Sequence, residues 1–468
     1  MGVFLPATLP GVSNQLTSAT YPVVVVSNRL PVSFLIGEQG ERVPTLSPGG
    51  LVAAVAPSLE GKNAAWVGWD GTHFGDTSKT EADGIALFPV SLSQDLVERH
   101  YEGFSNKTLW PLFHDVGVDA EFDEAWWNAY REVNSVFAQR AAEVVAPRGI
   151  VWVHDYQMML VPSFVRKLRP DVRIGYFHHI PFCSRSTLEA LPQWGEIVAA
   201  LGQSDIAGFQ KEEDVLNFSD VQESVADSRA LAKAYPISID FAAVSRSAAE
   251  RAVVRRAKQF RAEWGNPKTV FLGVDRIDYT KGIPERLEAF AHLLESGKVS
   301  SDETLMFQAG SPSRENVAAY QDLRERVEGH VRRINQNHPS KSGRHAVLYR
   351  AENLDRSEML ALFVAADVMV VSSLRDGMNL VAKEFVACRN QESGVLVLSP
   401  FTGAADHMKE ALLANPRDQE AFAGAMLAAA TMTPSEQSRR MRALRDEVRV
   451  HDVQWWAGEI LGDLCSLG

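Results

Sequence analysis

Arg276 and Lys281 stand five positions apart in the segment from Val270 to Leu294, VFLGVDRIDYTKGIPERLEAFAHLL. A guanidinium and an ammonium on one short loop can grip an anion through charge-assisted hydrogen bonds. The loop that carries them, Asp275 to Gly282, follows an apolar, β-favouring run, Val270 to Val274, and opens into Pro284, Glu285 and an amphipathic helical pattern. Backbone N–H groups and the positive end of a helix dipole then lie beside the two cations, an arrangement suited to a diphosphate. Asp275 and Asp278 share the loop. The alternative reading therefore makes the two cations ion-pair partners of these carboxylates, or plain surface charges.

Elements that could hold partners for this loop recur along the chain. Val23 to Val26 is a continuous apolar run of the kind a buried parallel strand shows, and Arg29 follows its carboxyl end, where open α/β sheets bind ligands. SPGGL, Ser47 to Leu51, leads into a helical pattern from Val52 to Leu59, so Gly49 and Gly50 can let backbone approach a ligand. Trp66, Trp69, Tyr101 and Trp110 lie among glycine and polar neighbours; most such aromatics pack in cores, but their faces also hold the C–H faces of sugars. Strands at Ile150 to Val153 and Arg173 to Phe177 end in His154, Asp155 and Tyr156, and in His178, His179 and Ile180. The paired histidines point to opposite faces of a strand and lack a third ligand, so no metal site is expected. Ser186 and Glu189 form a capping box for a helix continuing towards Ala200.

Tyr235 to Asp240, with Pro236, followed by a long helix from about Ser245 to Trp264, marks a domain crossing. Val253, Ala257, Phe260 and Trp264 trace the buried stripe of that helix, and Arg251, Arg255, Arg256 and Lys258 its solvated face. Thr304 to Gln308 is a strand leading to SPSRE, which puts Arg314 near a helix start and makes it a candidate for a second anion. Leu323, Val327, Val331 and Ile334 stripe the helix beyond. Val368 to Val371 is a buried strand. After it, Asp376 and Gly377 make a turn whose amides, from Gly377 through Met378 and Asn379 to Leu380, point outwards as a helix begins, with Glu384 two turns on from Gly377.

The chain's 468 residues suffice for two or three domains, and 46% hydrophobic with 23% charged residues excludes wholesale disorder. A formal charge of -12 excludes a general nucleic-acid or anionic-membrane binder, so anionic ligands must be held by local basic clusters. Cys183, Cys388 and Cys465 are widely separated, without zinc or redox spacing, which fits a reducing compartment. The first twenty residues show no leader pattern, and apolar stretches such as Ala361 to Val371 are interrupted by Asp367. A cytoplasmic protein is expected.

Taken together, VVVSNRLPV, SPGGL, WVGW, YEGFSNKTLWPLFHD, VHDYQ, HIPF, DRIDYTKGIPER, SPSRE and SLRDGMNLVAKEFVACR resemble, in order, the trehalose-6-phosphate synthases. The match runs from Val23 to about Trp456. It implies an α/β fold with two Rossmann-like domains whose parallel sheets face a central cleft. Residues 1–240 would form the acceptor domain, 241–450 the nucleotide-sugar domain, and a helix of about 451–468, centred on Val453 to Leu464, would return to the first.

The implied reaction is retaining glucosyl transfer from a nucleoside-diphosphate glucose, UDP-glucose first, to glucose 6-phosphate. No cofactor or metal is implied, and a trehalose-6-phosphate phosphatase would consume the product. Arg276 and Lys281 would hold the donor diphosphate, Glu384 the ribose, and Asp376 with the Gly377, Met378, Asn379 and Leu380 backbone the glucose and phosphate. Gly50 and His179 would line the donor site from the other domain. Arg29 and Arg314 would meet the acceptor phosphate, with Trp69, Tyr101, Trp110 and Asp155 around its sugar. Catalysis would rest on Asp155, His179, Arg276, Lys281 and Asp376. The implied front-face mechanism lets the departing diphosphate oxygen help take the acceptor proton, so the carboxylates orient hydroxyls rather than act as nucleophiles.

Cys183 after HIPF, Ser372 and Ser373 before the LRDG run, and a short stretch from Lys211 to Ala234 depart from the family pattern; the last reads either as a true shortening or as a join near Phe218 to Asp220. Related transferases with another acceptor, such as a glucosylglycerol-phosphate synthase or a C–N-coupling pseudo-glycosyltransferase, remain alternatives, as does a non-catalytic sugar-phosphate sensor. The sequence leaves open the base (uracil, guanine or adenine) and whether the chain forms a homo-oligomer.

Overall fold

The computed structural model describes residues 21–36, 42–46, 50–59, 61–72, 77–226, 228–314 and 317–467. In chain order the strands are β1 (Tyr21–Arg29), β2 (Val32–Ile36), β3 (Arg42–Leu46), β4 (Ala64–Trp69), β5 (Thr80–Ala82), β6 (Ile85–Val90), β7 (Val145–His154), β8 (Arg173–Phe177), β9 (Ile206–Phe209), β10 (Leu231–Ala234), β11 (Thr269–Arg276), β12 (Thr304–Ser311), β13 (Val347–Arg350), β14 (Val368–Val371), β15 (Val395–Leu398) and β16 (Leu412–Leu413). They build an eight-stranded sheet, β10-β9-β8-β7-β1-β4-β6-β5, a six-stranded sheet, β13-β12-β11-β14-β15-β16, and the hairpin β2-β3. Apart from the β5–β6 pair and the hairpin, every pairing is parallel. Parallel neighbours need crossover helices that cover both faces, which is why β14 (VMVV) and β15 (VLVL) are apolar at every position and buried throughout.

The strand order decides where ligands can sit. In the first sheet the chain moves outwards from β1 to β4 and β6, then returns to place β7 on the other side of β1. In the second it moves from β11 to β12 and β13, then returns to place β14 beside β11. Each reversal opens a crevice at the strands' carboxyl ends, the site where open α/β sheets bind ligands. Arg29 ends β1, Asp155 follows β7, Arg276 ends β11 and Asp376 follows β14.

Hydrophobic packing joins the two sheets. One buried cluster runs from Val25, Trp66 and Phe177 through Ile237, Ile239 and Phe241 to Leu272 and Val371, so the connecting segment is part of the core. The helix Val453–Ser466 packs on the first sheet's side. Trp456 lies against Trp152 and Phe177 with centroids 5.2 and 5.1 Å away and donates its Nε1–H to the Tyr235 carbonyl, and Asp463 accepts hydrogen bonds from Lys233 and Tyr235.

Three local expectations are corrected. The capping box at Ser186 and Glu189 does not form: Ser184 caps the short helix Arg185–Leu188 by accepting from the Thr187 N–H, while Glu189 pairs with Arg185. That helix does not continue to Ala200. Pro192 lacks an N–H to carry the ladder on, and a separate helix starts at Trp194. Likewise the long helix expected from Ser245 to Trp264 is two helices, Phe241–Ala248 capped by Asp240 and Arg251–Glu263, broken at Ala249 and Glu250. Between Lys211 and Ala234, Phe218 and Asp220 lie inside one unbroken helix, Glu212–Gln222, and Phe218 is buried against Phe182 and Phe209.

Candidate active site

A cleft of about 330 Å3 opens where the carboxyl ends of the two sheets meet. Its wall gathers Tyr101, Trp110, Asp155 and His179 from the first half of the chain, and Arg276, Lys281, Arg314, Asp376, Met378, Asn379 and Leu380 from the second. Residues placed at strand ends by sequence thus converge, because both topological reversals face the same space.

The loop after β11 is shaped by its own side chains. Asp278 accepts from the Thr280 N–H at 3.0 Å and its hydroxyl at 2.9 Å, closing the 3-10 turn Tyr279–Lys281. Gly282 then takes φ +60, and a Cβ there would stand 2.1 Å from the Ser372 carbonyl oxygen, so both conformation and space demand glycine. Ser372 Oγ donates to the Gly282 carbonyl at 2.7 Å, and Ser373 Oγ to Asp376 at 3.2 Å. Ser372 therefore ties the β14 turn to the cationic loop, while Ser373 braces Asp376 within the turn.

Lys281 Nζ donates to Asp376 Oδ2 at 2.6 Å, with both side chains 13% exposed. Burial pushes the Asp376 carboxyl up, but the charge and hydrogen bond of Lys281, with Asn379 Nδ2 at 3.1 Å, hold it below the usual range. Asn379, at φ +81, also caps the helix Leu380–Cys388 by accepting from the Ala382 N–H at 3.0 Å. The first-turn N–H groups of that helix, at Leu380 and Val381, have no acceptor within it and border the cleft.

A second cationic group gathers at Asp278. Arg314, at φ +49 with its side chain 5% exposed, stacks 3.8 Å over the Trp110 ring, donates to the Tyr156 hydroxyl at 3.1 Å and to the Tyr320 hydroxyl, and stands 3.8 Å from Asp278. Arg276 is half-exposed, 5.2 Å from the Trp110 centroid and also 3.8 Å from Asp278. Burial raises the Asp278 carboxyl, but Arg314, Arg276 and Lys281 outweigh it and hold the group ionised. The carboxylate-partner reading of the loop thus holds in part: Asp278 lies between the two guanidiniums, whereas Asp275 turns away to the buried Arg286 at 2.6 Å.

Asp155 is held at φ +75, a conformation that stores strain, by hydrogen bonds from the Tyr156 N–H at 3.0 Å and the His179 N–H at 3.3 Å. Burial pushes its carboxyl up to about 6 despite those bonds and the nearby arginines. Its ionisation therefore opposes folding: the penalty is absent below the unfolded value near 4, grows through pH 4 to 6, and is complete above about 6. Asp155→Asn is expected to melt at a higher temperature than the parent at pH 8, with the gap closing as pH falls to 4. Equal melting shifts at both pH values would remove this account. His179 Nε2 lies 3.0 Å from His154 Nδ1, and burial keeps both imidazoles neutral. Among the described residues no group of three or more His, Cys, Asp or Glu is arranged to hold a metal.

Four of the described residues expected in the site, Arg29, Trp69, Gly377 and Glu384, lie off this cleft wall. Arg29 is exposed at the end of β1 and stacks 4.5 Å from the Trp69 centroid, while Trp69 donates to the Thr72 carbonyl at 2.7 Å. Gly50 begins the helix Gly50–Ser58, and Ser47 to Gly49 lie outside the described residues. At Gly377 a Cβ would stand 2.3 Å from the His179 carbonyl oxygen, so the two halves of the chain touch there through bare backbone. Glu384 accepts from Arg356 Nη1 at 2.6 Å. Trp66, one of the candidate sugar aromatics, is fully buried in β4. Conversely, His114, Tyr156 and Gln210 line the cleft without having been assigned to it. Their only sequence signal was adjacency: four residues after Trp110, next to Asp155, and just after β9.

The model of glycosyltransferase family 20 matches residues 21–466. This chain belongs to that family. A trehalose-6-phosphate synthase of Mycolicibacterium smegmatis is 44% identical over 98% of this chain and 95% of its own. Among solved structures of the family's fold, an E. coli protein bound with UDP-2-fluoro glucose superposes with TM-score 0.86 and 32% identity, covering 94% of this chain and 98% of that one. An alpha,alpha-trehalose-phosphate synthase (UDP-forming) from Burkholderia xenovorans in complex with glucose-6-phosphate gives 0.87 and 31%, covering 95% and 99%. The two-sheet architecture of this family member is thus the one expected from its sequence, an α/β fold whose two parallel sheets face a central cleft. No helix among the described residues is long and apolar enough to cross a membrane.

Proposed function

We propose that this enzyme transfers glucose, with retention, from a nucleoside-diphosphate glucose, UDP-glucose in the first instance, to glucose 6-phosphate, giving α,α-trehalose 6-phosphate. The observation that supports this most strongly is the pair of cationic groups in one cleft: Lys281 with Asp376 and the helix start at Leu380, and Arg314 over Trp110. One phosphorylated substrate needs one such group; two suit a phosphorylated donor and a phosphorylated acceptor. In this reading Lys281 and Arg276 stabilise charge on the departing diphosphate, Asp376 and the Gly377 to Leu380 backbone orient the glucose, and His179 and Gly50 border the donor. Arg314 and Arg29 take the acceptor phosphate, with Tyr101, Trp110, Trp69 and Asp155 about its sugar. The bond from the glucosyl carbon to the diphosphate oxygen breaks, the bond to the acceptor oxygen forms, and the acceptor proton passes to the departing oxygen. Holding both substrates in register can contribute on the order of 7–11 kcal/mol.

Glu384 is assigned to the ribose hydroxyls, with Arg356 fixing its carboxylate. Glu384→Gln is expected to raise KM for the nucleotide sugar about tenfold while leaving kcat within a factor of about three, the loss of one charge-assisted hydrogen bond. An unchanged KM would remove the assignment. The chain divides at about residue 240, with the last helix rejoining the first unit. Its three free cysteines suit the reducing cytoplasm, and its phosphomonoester product suits a trehalose-6-phosphate phosphatase.

The deciding experiment incubates the protein with glucose 6-phosphate and UDP-, GDP- or ADP-glucose in turn, following nucleoside diphosphate release and the product's anomeric configuration by NMR. An α,α-linked disaccharide phosphate is expected. Release only with glycerol phosphate or an aminocyclitol, or binding without release, would overturn the reading.

A further inference from the structure

His114 is a cleft residue to which no role has been given. It ends the short helix Trp110–His114, is 1% exposed, and stacks on the Trp110 ring at 4.1 Å. Nδ1 lies 2.9 Å from the Trp110 carbonyl oxygen, four residues back. A carbonyl only accepts, so Nδ1 carries the proton and Nε2 presents a lone pair. The charges acting on the ring are Asp278, Lys281 and Asp376, and burial holds the imidazole neutral, with its pKa pushed down to about 3. The ammonium of Lys281 is already engaged by Asp376 at 2.6 Å. Nε2 is therefore a fixed neutral acceptor on the wall of a cleft that also holds the cations Arg276, Lys281 and Arg314. Phosphate oxygens, which only accept at neutral pH, are repelled by such a lone pair, whereas a sugar hydroxyl can donate to it.

We propose that His114 Nε2 accepts a hydrogen bond from one hydroxyl of the transferred glucosyl group, and so helps select a glucose with that hydroxyl in place. The transferred sugar is favoured over the acceptor sugar because the charges of Lys281 and Asp376, along with that of Asp278, act on the His114 ring. Through Trp110 it also joins Arg314: the indole stacks on His114 at 4.1 Å and lies under the Arg314 guanidinium at 3.8 Å, so one ring touches both side chains. This proposal rests on the glucosyl-transfer reading above.

The test compares the parent enzyme with His114→Asn and His114→Gln. Asparagine can keep the hydrogen bond to the Trp110 carbonyl but has no atom at Nε2, and glutamine places an amide oxygen near the lost acceptor. With the natural donor, H114N should lose about tenfold in kcat/KM and H114Q should recover most of it. The series is repeated with donors deoxygenated in turn at each glucosyl hydroxyl and with correspondingly deoxygenated acceptors. For one deoxy donor the parent and H114N should become equal. In the parent enzyme the Nε2 nitrogen resonance should shift on adding the natural donor but not that deoxy donor, a readout that needs no variant to fold. An equal H114N penalty with every deoxy donor, a penalty that vanishes with a deoxy acceptor instead, or an unmoved resonance would overturn the proposal. Failure of the parent enzyme to release nucleoside diphosphate in the presence of glucose 6-phosphate would instead overturn the glucosyl-transfer reading itself.

Discussion

Lys281→Ala is expected to lower kcat/KM for the nucleotide sugar by about 10³-fold. One preorganised donor aimed at developing negative charge is worth roughly 10²–10³ in rate, and here the loss is compounded because the ammonium also neutralises a buried carboxylate. With its 2.6 Å partner gone, Asp376 keeps the burial that pushes its carboxyl up and loses the largest influence holding it down. Its ionised form then needs a higher pH, so the variant's residual activity should have its acid limb displaced towards alkaline pH. Asp376→Asn should make the lysine change less costly, since the two side chains act as a pair. Steady-state kinetics with donor varied at saturating acceptor, from pH 5.5 to 9, measure this. A loss of less than about tenfold, or one confined to acceptor KM, would show that Lys281 does not serve the leaving group.

Arg314→Ala is expected to raise KM for glucose 6-phosphate by about 10²-fold, with donor KM changed by less than about threefold. The guanidinium is preorganised by the Trp110 face and by the Tyr156 and Tyr320 hydroxyls, so it meets a phosphate with little further ordering. Charge-assisted hydrogen bonds of this kind are worth about 1.5–3 kcal/mol each. Arg314→Lys should recover little, because an ammonium neither stacks on the indole nor presents a fork. The variant should also lose acid resistance. Asp278 is held ionised against burial first by Arg314 and then by Arg276 and Lys281; with Arg314 removed its carboxyl rises, and the stability its ionisation gives fades at a higher pH as acid is added. Unchanged acceptor KM would sink the assignment, and equal rises in both substrates' KM would point to a general collapse of the cleft.

Local order was the most legible part of this chain. The strand expected from Arg173 to Phe177 and that from Val368 to Val371 match the observed spans, because short runs of mostly apolar residues bounded by polar turns carry their burial on their face. Errors fell where competing local signals were equally strong. Ser184 and Ser186 both stand at the start of one short helix, and which of them caps depended on which backbone N–H came within reach. The break between Ala248 and Arg251 carries neither glycine nor proline to announce it.

The sequence by itself determined the alternation of strands and helices, the placing of Arg29, Asp155, Arg276 and Asp376 at or just beyond strand carboxyl ends, and, through a run of motifs in one order, the family. Periodicity, caps and turn chemistry act over a few residues, and so are written in a few residues. The partnerships within the cleft were decided only by the tertiary structure. Lys281 and Asp376 are 95 positions apart, and Arg314 and Tyr156 are 158 apart. Whether such groups meet depends on how two sheets and their connecting segment pack against each other, a choice made by burying apolar surface rather than by the polar residues it brings together. His114 shows this most clearly. In the chain it is a histidine after an apolar run; in the fold, stacking on Trp110 and a hydrogen bond to its carbonyl give it a fixed lone pair on the wall of the cleft.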